Sequence, residues 1–259
     1  MKNSLILLLL IPSIIFAQKP LSEKFYLFDA KMQGVSKIDS AAFLMRISKF
    51  ADTLWQFDTY KALGPLTSSE QYRDADATMP SGVFTFYHPT GYIDSTGKVI
   101  NGLLDGNWSY YNDSGKVLMQ KTYAMGKLTK TRDFLKEEKE KTGKEKTEKD
   151  DSLEVRKFNR VEWESEYTGG LAGWKRYIEK NIRYPQRAIS YQITGSIIVQ
   201  FIINTEGKPT EATLFKSVEY SVDTEAKRII LASNKWKPAF QDGRRVKSYK
   251  RQPIVFNLK

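Results

Sequence analysis

The chain has 259 residues, 41% of them apolar and 13% aromatic, enough to build the core of one large or two small domains. It holds no cysteine and a single histidine, His88, which excludes disulfides, thiolate catalysis, Cys-ligated zinc, and leaves His triads and multi-His metal sites almost nothing to draw on. The formal charge of +11 is unevenly spread, since residues 165–259 carry 17 Lys and Arg against 8 Asp and Glu, which points to an anionic surface or an acidic partner or simply to a solvated face.

Residues 1–18 read as a signal peptide. Lys2 supplies the positive end, "SLILLLLIPSIIFA" runs apolar to Ala17, and Pro12 interrupts it. That run is well short of the roughly 20 residues that span a bilayer, so cleavage beside Ala17 is expected, with an uncleaved anchor as the alternative. Nucleic acid is therefore the least fitting anionic partner, and none is expected.

Further along, Phe43, Ile47, Phe50, Leu54 and Phe57 fall at helical spacing. Against this, "GPLTSSEQY" (64–72) has the Gly-to-Tyr distance of "GKVLMQKTY" (115–123), as a degraded repeat would. Strands are expected over 53–74, and 38–51 stays open. The repeat is plainer in "SGVFTFYHPTGYIDSTGKVINGLL" (81–104), which aligns without gaps on "DGNWSYYNDSGKVLMQKTYAMGKL" (105–128). Gly82 meets Gly106, Phe84 meets Trp108, Phe86 meets Tyr110 and Gly91 meets Gly115. Alternating aromatics, a Gly-containing turn and a second apolar run are the signature of a β-hairpin. These units resemble the MORN-like repeat, a resemblance that implies a stacked all-β scaffold or contact surface over 19–135. His88, beside Pro89 in a hairpin turn, reads as a surface residue.

Residues 136–160 read as a charged linker, because "KEEKEKTGKEKTEKDD" carries 6 Lys and 7 acidic residues and no aromatic. Such a run has nothing to bury and at most forms transient i,i+4 helix.

In 161–259 the periodicity changes. Leu171, Trp174, Ile178 and Ile182 form one helical stripe, closed by Pro185. "GSIIVQFIIN" places Ile197, Val199, Phe201 and Ile203 on one strand face and Ile198 and Ile202 on the other. "TEGKP" turns the chain into "PTEATLFKS", a second strand. Ser221 fits a helix N-cap, with Asp223 and Glu225 in the first turn and Val222, Ala226, Ile229 and Ile230 as the buried stripe. "RQPIVFNLK" closes as a strand with Ile254, Phe256 and Leu258 on one face. The order is helix, strand, strand, helix, strand: an α+β fold, helices on one face of a small antiparallel sheet, behind an all-β hairpin-repeat region.

This last stretch resembles the C-terminal domain of TonB. The matching motifs are Tyr184-Pro185, "G-x-I-x-V-x-F-x-I" from Gly195, "EGK" (206–208), "AKR" (226–228), "WKP" (236–238), "G-x-x-V" (243–246) and "P-I-x-F" (253–256), in the family's order. The resemblance implies a periplasmic protein that adds an extended outer-membrane receptor peptide to a sheet edge, where the guest's backbone supplies affinity. Carried over residue by residue, the contact strand is Arg251, Pro253, Ile254, Val255, Phe256, Asn257 and Leu258, and the second contact region is Asn181, Ile182, Arg183 and Tyr184. For Ile254, Phe256 and Leu258 core packing competes with contact, and Trp174 and Trp236 read as core anchors. The chain departs from an energy transducer in its short apolar segment and in having no proline between 90 and 184. Inner-membrane energising proteins are thus a conditional partner, tied to an uncleaved N-terminus.

No G-x-S-x-G, Gly-rich phosphate loop or metal-spaced cluster is present, so neither enzyme activity nor a cofactor is expected. The alternative to receptor binding is an envelope scaffold that holds peptidoglycan through the repeats and the basic C-terminal part. An exposed edge strand also invites a homodimer.

Overall fold

The structure, a computed structural model, describes residues 19–144 and 163–258. The signal-peptide reading of 1–18 and most of the charged linker fall outside the described residues.

The first part is an antiparallel meander of β1 (Ser22–Phe28), β2 (Gly34–Val35), β3 (Phe43–Ala51), β4 (Leu54–Lys61), β5 (Leu66–Tyr72), β6 (Pro80–Tyr87), β7 (Ile93–Ile100), β8 (Leu103–Tyr111), β9 (Val117–Ala124) and β10 (Lys127–Asp133). They form one ten-stranded sheet ordered β10-β9-β8-β7-β6-β5-β4-β3-β1-β2. The sequence repeat is the structural unit: β6 and β7 recur in β8 and β9 at the same spacing of residues. Asn101-Gly102 joins β7 to β8 with both φ angles positive, 49° and 80°, the two-residue turn whose twist matches paired strands. The helical spacing at 43–57 belongs to strands. β3 points Leu44, Arg46 and Ser48 to the buried face and Phe43, Met45, Ile47 and Lys49 to the other, so buried polar groups hide its alternation.

After β10, α1 (Phe134–Lys144) corrects the expectation of a linker beginning at 136. Asp133 Oδ1 accepts from the amides of Leu135 and Lys136, and Arg132 pairs with Glu137 at 2.7 Å, so the mixed-charge run starts as a capped helix.

The carboxy-terminal part runs β11 (Glu166–Tyr167), α2 (Gly170–Asn181), α3 (Gln186–Ser190), β12 (Gly195–Ile203), β13 (Pro209–Lys216), α4 (Tyr220–Leu231), β14 (Trp236–Lys237), β15 (Ala239–Gln241), β16 (Arg244–Val246) and β17 (Ser248–Phe256). Its main sheet is ordered β13-β12-β17, antiparallel throughout. Ile197, Val199, Phe201, Ile203, Val222, Ala226, Ile229 and Ile230 are fully buried between this sheet and α4, as their spacing predicts. Trp174 and Trp236 lie with their rings tilted against each other at 5.3 Å within the same core. Two readings need correction. Leu171 is 82% exposed, because the helical stripe begins only at Trp174. The cap of α4 is Glu219, whose side chain accepts from the amide of Ser221; Ser221 already lies inside the helix.

The two parts share one hydrophobic core. Leu44, Tyr60 and Leu66 of the large sheet pack in the same cluster as Leu214, Ile229 and Ile230. Phe25 and Tyr60 meet Tyr220 edge-on at 5.3 and 5.7 Å. Polar bonds fix the docking. Ser217 Oγ accepts from the amide of Leu66 at 2.8 Å, Ser217 N donates to Gly91 O at 2.9 Å, Tyr87 Oη donates to Leu214 O at 2.9 Å, and Arg187 Nη2 donates to Ala62 O at 2.7 Å. The charged stretch between them does not hold the two parts asunder, because burying those apolar faces together outweighs the separation that a solvated linker permits.

Candidate functional site

β17 lies at the side of the three-stranded sheet. It pairs with β12 from Gly195↔Phe256 to Ile203↔Ser248, and no strand among the described residues pairs with its outer side. The opposite edge is partly closed: Tyr92 bridges to Lys216, and Ser217 N is bonded to Gly91. Gly91 has φ +85°, and a Cβ there would stand 2.1 Å from Ser217 O, so the β6–β7 turn reaches β13 only because that residue is glycine. The beginning of β17 is flanked as well, by Ser165 Oγ accepting from Ser248 Oγ at 2.7 Å and by Glu164 at 3.8 Å from Lys250 Nζ. The stretch Arg251–Phe256 is open.

Proline chemistry assigns the direction of its peptide groups. Pro253 stands opposite Ile198 and has no N–H to give to a ladder. Antiparallel alternation then puts the bonds to β12 on Gln252, Ile254 and Phe256, and turns the peptide groups of Arg251, Pro253 and Val255 outward. Five groups face solvent: the N–H and C=O of Arg251, the C=O of Pro253, and the N–H and C=O of Val255.

The side chains divide by the same alternation. Ile254 and Phe256 are 1% exposed and belong to the core, whereas Val255 is 53% exposed and Pro253 is exposed. Arg251 leans away from the open edge: its Nε donates to Gln200 Oε1 at 2.8 Å and its guanidinium lies 3.5 Å over the Phe215 ring, beside Tyr111. Burial there lowers its pKa, against the pull of Tyr111. Asn257 and Leu258 follow the end of the strand at Phe256, and Leu258 is 38% exposed, which corrects its expected place on the core face.

Asn181 ends α2, Ile182, Arg183 and Tyr184 form the turn after it, and the structure brings this segment to the end of β17. The Tyr184 ring meets Phe256 edge-on at 5.4 Å, and its hydroxyl donates to Ile193 O. Glu225 holds the turn: Oε1 accepts from Arg183 N at 2.7 Å, while both carboxylate oxygens take Arg228, whose Nη2 also donates to Asn181 O. The paired carboxylate raises the Arg228 pKa. Glu225 is a positioning residue that sequence reading assigned to the helix dipole alone. The only available signal was its three-residue spacing to Arg228. Asp223 is also buried, accepting from Val218 N at 2.9 Å and from Ser217 Oγ, and burial pushes its carboxyl up to about 7. His88 is half-buried and links Tyr111 O and Asp94 at 3.0 and 3.3 Å, so it ties two hairpin turns together.

Residues 180–258 match the family model of the Gram-negative bacterial TonB protein C-terminal domain. That stretch is thus similar to the TonB C-terminal domain. Among solved structures, the solution structure of the Helicobacter pylori TonB C-terminal domain is similar at 24% identity, covering 33% of this chain and 77% of that one, with a TM-score of 0.27. No curated protein matches the chain. Among the described residues no helix is long and apolar enough to cross a membrane, and no cluster of three or more His, Asp or Glu could hold a metal.

Proposed function

We propose that this chain is a non-enzymatic, exported TonB-like protein that captures an extended N-terminal segment of an outer-membrane receptor by strand addition to β17. The observation that carries the reading is the open edge itself: Arg251–Phe256 offers outward peptide groups beside a rigid core strand. Backbone pairing needs no catalytic group, and the exposed side chains of Pro253 and Val255 supply choice. Tyr184 and the segment 181–184 bound the end of the groove that a guest strand would enter. The N-terminal sheet, read as MORN-like repeats, acts as a rigid backing that closes much of the β13 edge and leaves β17 as the open one. Capture tests the reading: the full chain, immobilised, should retain a receptor carrying its N-terminal segment and release it to the free segment peptide. Retention that is unchanged when the segment is deleted would contradict it.

The second reading, an envelope scaffold that binds peptidoglycan, draws on the outer face of the large sheet. There Trp55, Phe57, Tyr72 and Tyr110 stand half-buried, with Lys49 and Lys121 over Trp55 and Tyr110. Co-sedimentation with purified peptidoglycan separates the two, since a receptor binder stays in the supernatant.

A further inference from the structure

Between the buried-side face of β6 and β7 and the outer face of β12 and β13 runs a cleft of about 310 Å³, lined by Val83, Tyr87, Ile202, Glu211, Thr213 and Tyr249 among others. It adjoins an inner cavity of about 180 Å³ that shares Val83, Thr85, Tyr87, Thr213 and Leu214 with it. Two rims remain wet: Val83 is 40% exposed and Tyr249 73%.

One residue of this cleft is out of the ordinary. Glu211 has φ +54°, left-handed backbone that glycine normally takes. It sits in a β-bulge: Gln200 pairs with Thr213 and Ile202 with Thr210, so Glu211 and Ala212 together oppose Phe201. A bulge of this kind re-aims a side chain, and here it turns a carboxylate into the cleft. Strain kept in a non-glycine residue beside a cavity is a mark of function.

The surrounding polar groups already have partners. Thr85 and Thr96 share a hydroxyl bond at 2.8 Å, Thr213 donates to Gln200 O, and Gln200 Oε1 is taken by Arg251. In the inner cavity Arg46 is paired with Asp58 and reaches Glu23 at 3.4 Å, while Lys227 has Asp58, Asp223 and Glu23 in its field. Among the described residues the Glu211 carboxylate makes no side-chain hydrogen bond and no ion pair. The cations of the inner cavity, Arg46 and Lys227, are thus taken up by Asp58, Asp223 and Glu23, and the carboxylate of the cleft left without a cation is that of Glu211.

We propose that this cleft binds a small organic cation of the alkylamine type. Its ammonium rests on Glu211 and its apolar stem lies along Ile202, Val83 and Tyr87, with the Tyr249 ring at the mouth. An ammonium supplies the missing charge and donors to a partly desolvated carboxylate, and an apolar stem suits walls of valine, isoleucine and tyrosine. The volume equals about ten waters' share of liquid, room enough for a four-carbon amine. Of β17 the site uses only Tyr249, which precedes the open stretch Arg251–Phe256, and it stands whether or not strand addition occurs there.

The test is an NMR titration of the full chain in phosphate buffer with n-butylamine, n-butanol and butyrate. Butylamine should give saturable shifts at residues 83–87 and 210–213. The alcohol and the carboxylate should bind at least about tenfold more weakly, as should butylamine to E211Q, whose lost charge has no protein partner to leave behind. Glu206→Gln, on the exposed 204–208 turn, should behave as wild type. Butanol binding as well as butylamine, or E211Q binding butylamine unchanged, or no saturable shift at millimolar amine, would each overturn the proposal.

Discussion

Replacing Val255 by proline separates the fold of β17 from its capacity to take a guest. The Val255 N–H points outward and serves no bond to β12, and its side chain is 53% exposed, so the strand keeps its ladder through Gln252, Ile254 and Phe256. Stability should fall by no more than about 1 kcal/mol, the scale of a surface proline compatible with extended backbone. Binding should suffer more. The five outward groups, at about 0.5–1.5 kcal/mol net each, offer roughly 3–7 kcal/mol, and an ordering cost of about 2–5 kcal/mol for the guest leaves backbone pairing alone at about millimolar affinity or weaker. Val255→Pro removes one of two outward donors, strands a guest carbonyl and puts a ring where the guest must lie. The expected loss is about 1–2 kcal/mol, a weakening of about 5- to 30-fold. Fluorescence anisotropy with a labelled receptor N-terminal segment reads this directly, alongside urea unfolding of the same samples. Val255→Thr keeps the N–H and the β-branch and should bind within about twofold. A Val255→Pro chain that is folded and binds as wild type would refute the outward orientation.

Three further outcomes follow from the interior. Asp223, ordinarily at 3.8, is pushed up to about 7 by burial, so the folded chain holds its proton more tightly than the unfolded one. Its contribution is complete at pH below about 4 and is lost as pH rises to about 7, on the order of 4 kcal/mol at most; urea midpoints of Asp223→Asn against wild type should differ across that window and run parallel above it. Gly91→Ala places a Cβ 2.1 Å from Ser217 O at φ +85°, which should cost more than about 2 kcal/mol by thermal unfolding and shift the Tyr92 and Phe215 signals together. Glu225→Gln removes the charge that holds Arg183 and Arg228, and should speed amide exchange at Arg183 while α4 stays protected.

The elements of the carboxy-terminal unit were legible because their burial is one-sided and apolar: the alternation at Ile197–Ile203 and the stripe at Val222–Ile230 could be satisfied in one way. The repeat was legible because each unit is a self-contained hairpin. Strands over 53–74 followed from the repeat, whereas 38–51 stayed open, since the buried face of β3 carries Arg46 and Ser48 while Phe43 and Ile47 stand on the other. The docking of the two parts was invisible for a different reason. It depends on Leu66 meeting Ser217, which are 151 residues apart, and on a glycine turn reaching a strand edge, neither of which leaves a periodic trace. The open edge itself is a property of strand order, and strand order follows from three-dimensional pairing. Motif resemblance located the strand; only the sheet order β13-β12-β17 identifies its free side.

Amide hydrogen exchange on the full chain, with and without the receptor segment, tests the central claim most directly. Gln252, Ile254 and Phe256 should be protected from the start, whereas Arg251 and Val255 should exchange fast alone and slow down when the segment is added. Protection that appears instead along β10 or β13, with Arg251 and Val255 unchanged, would contradict it.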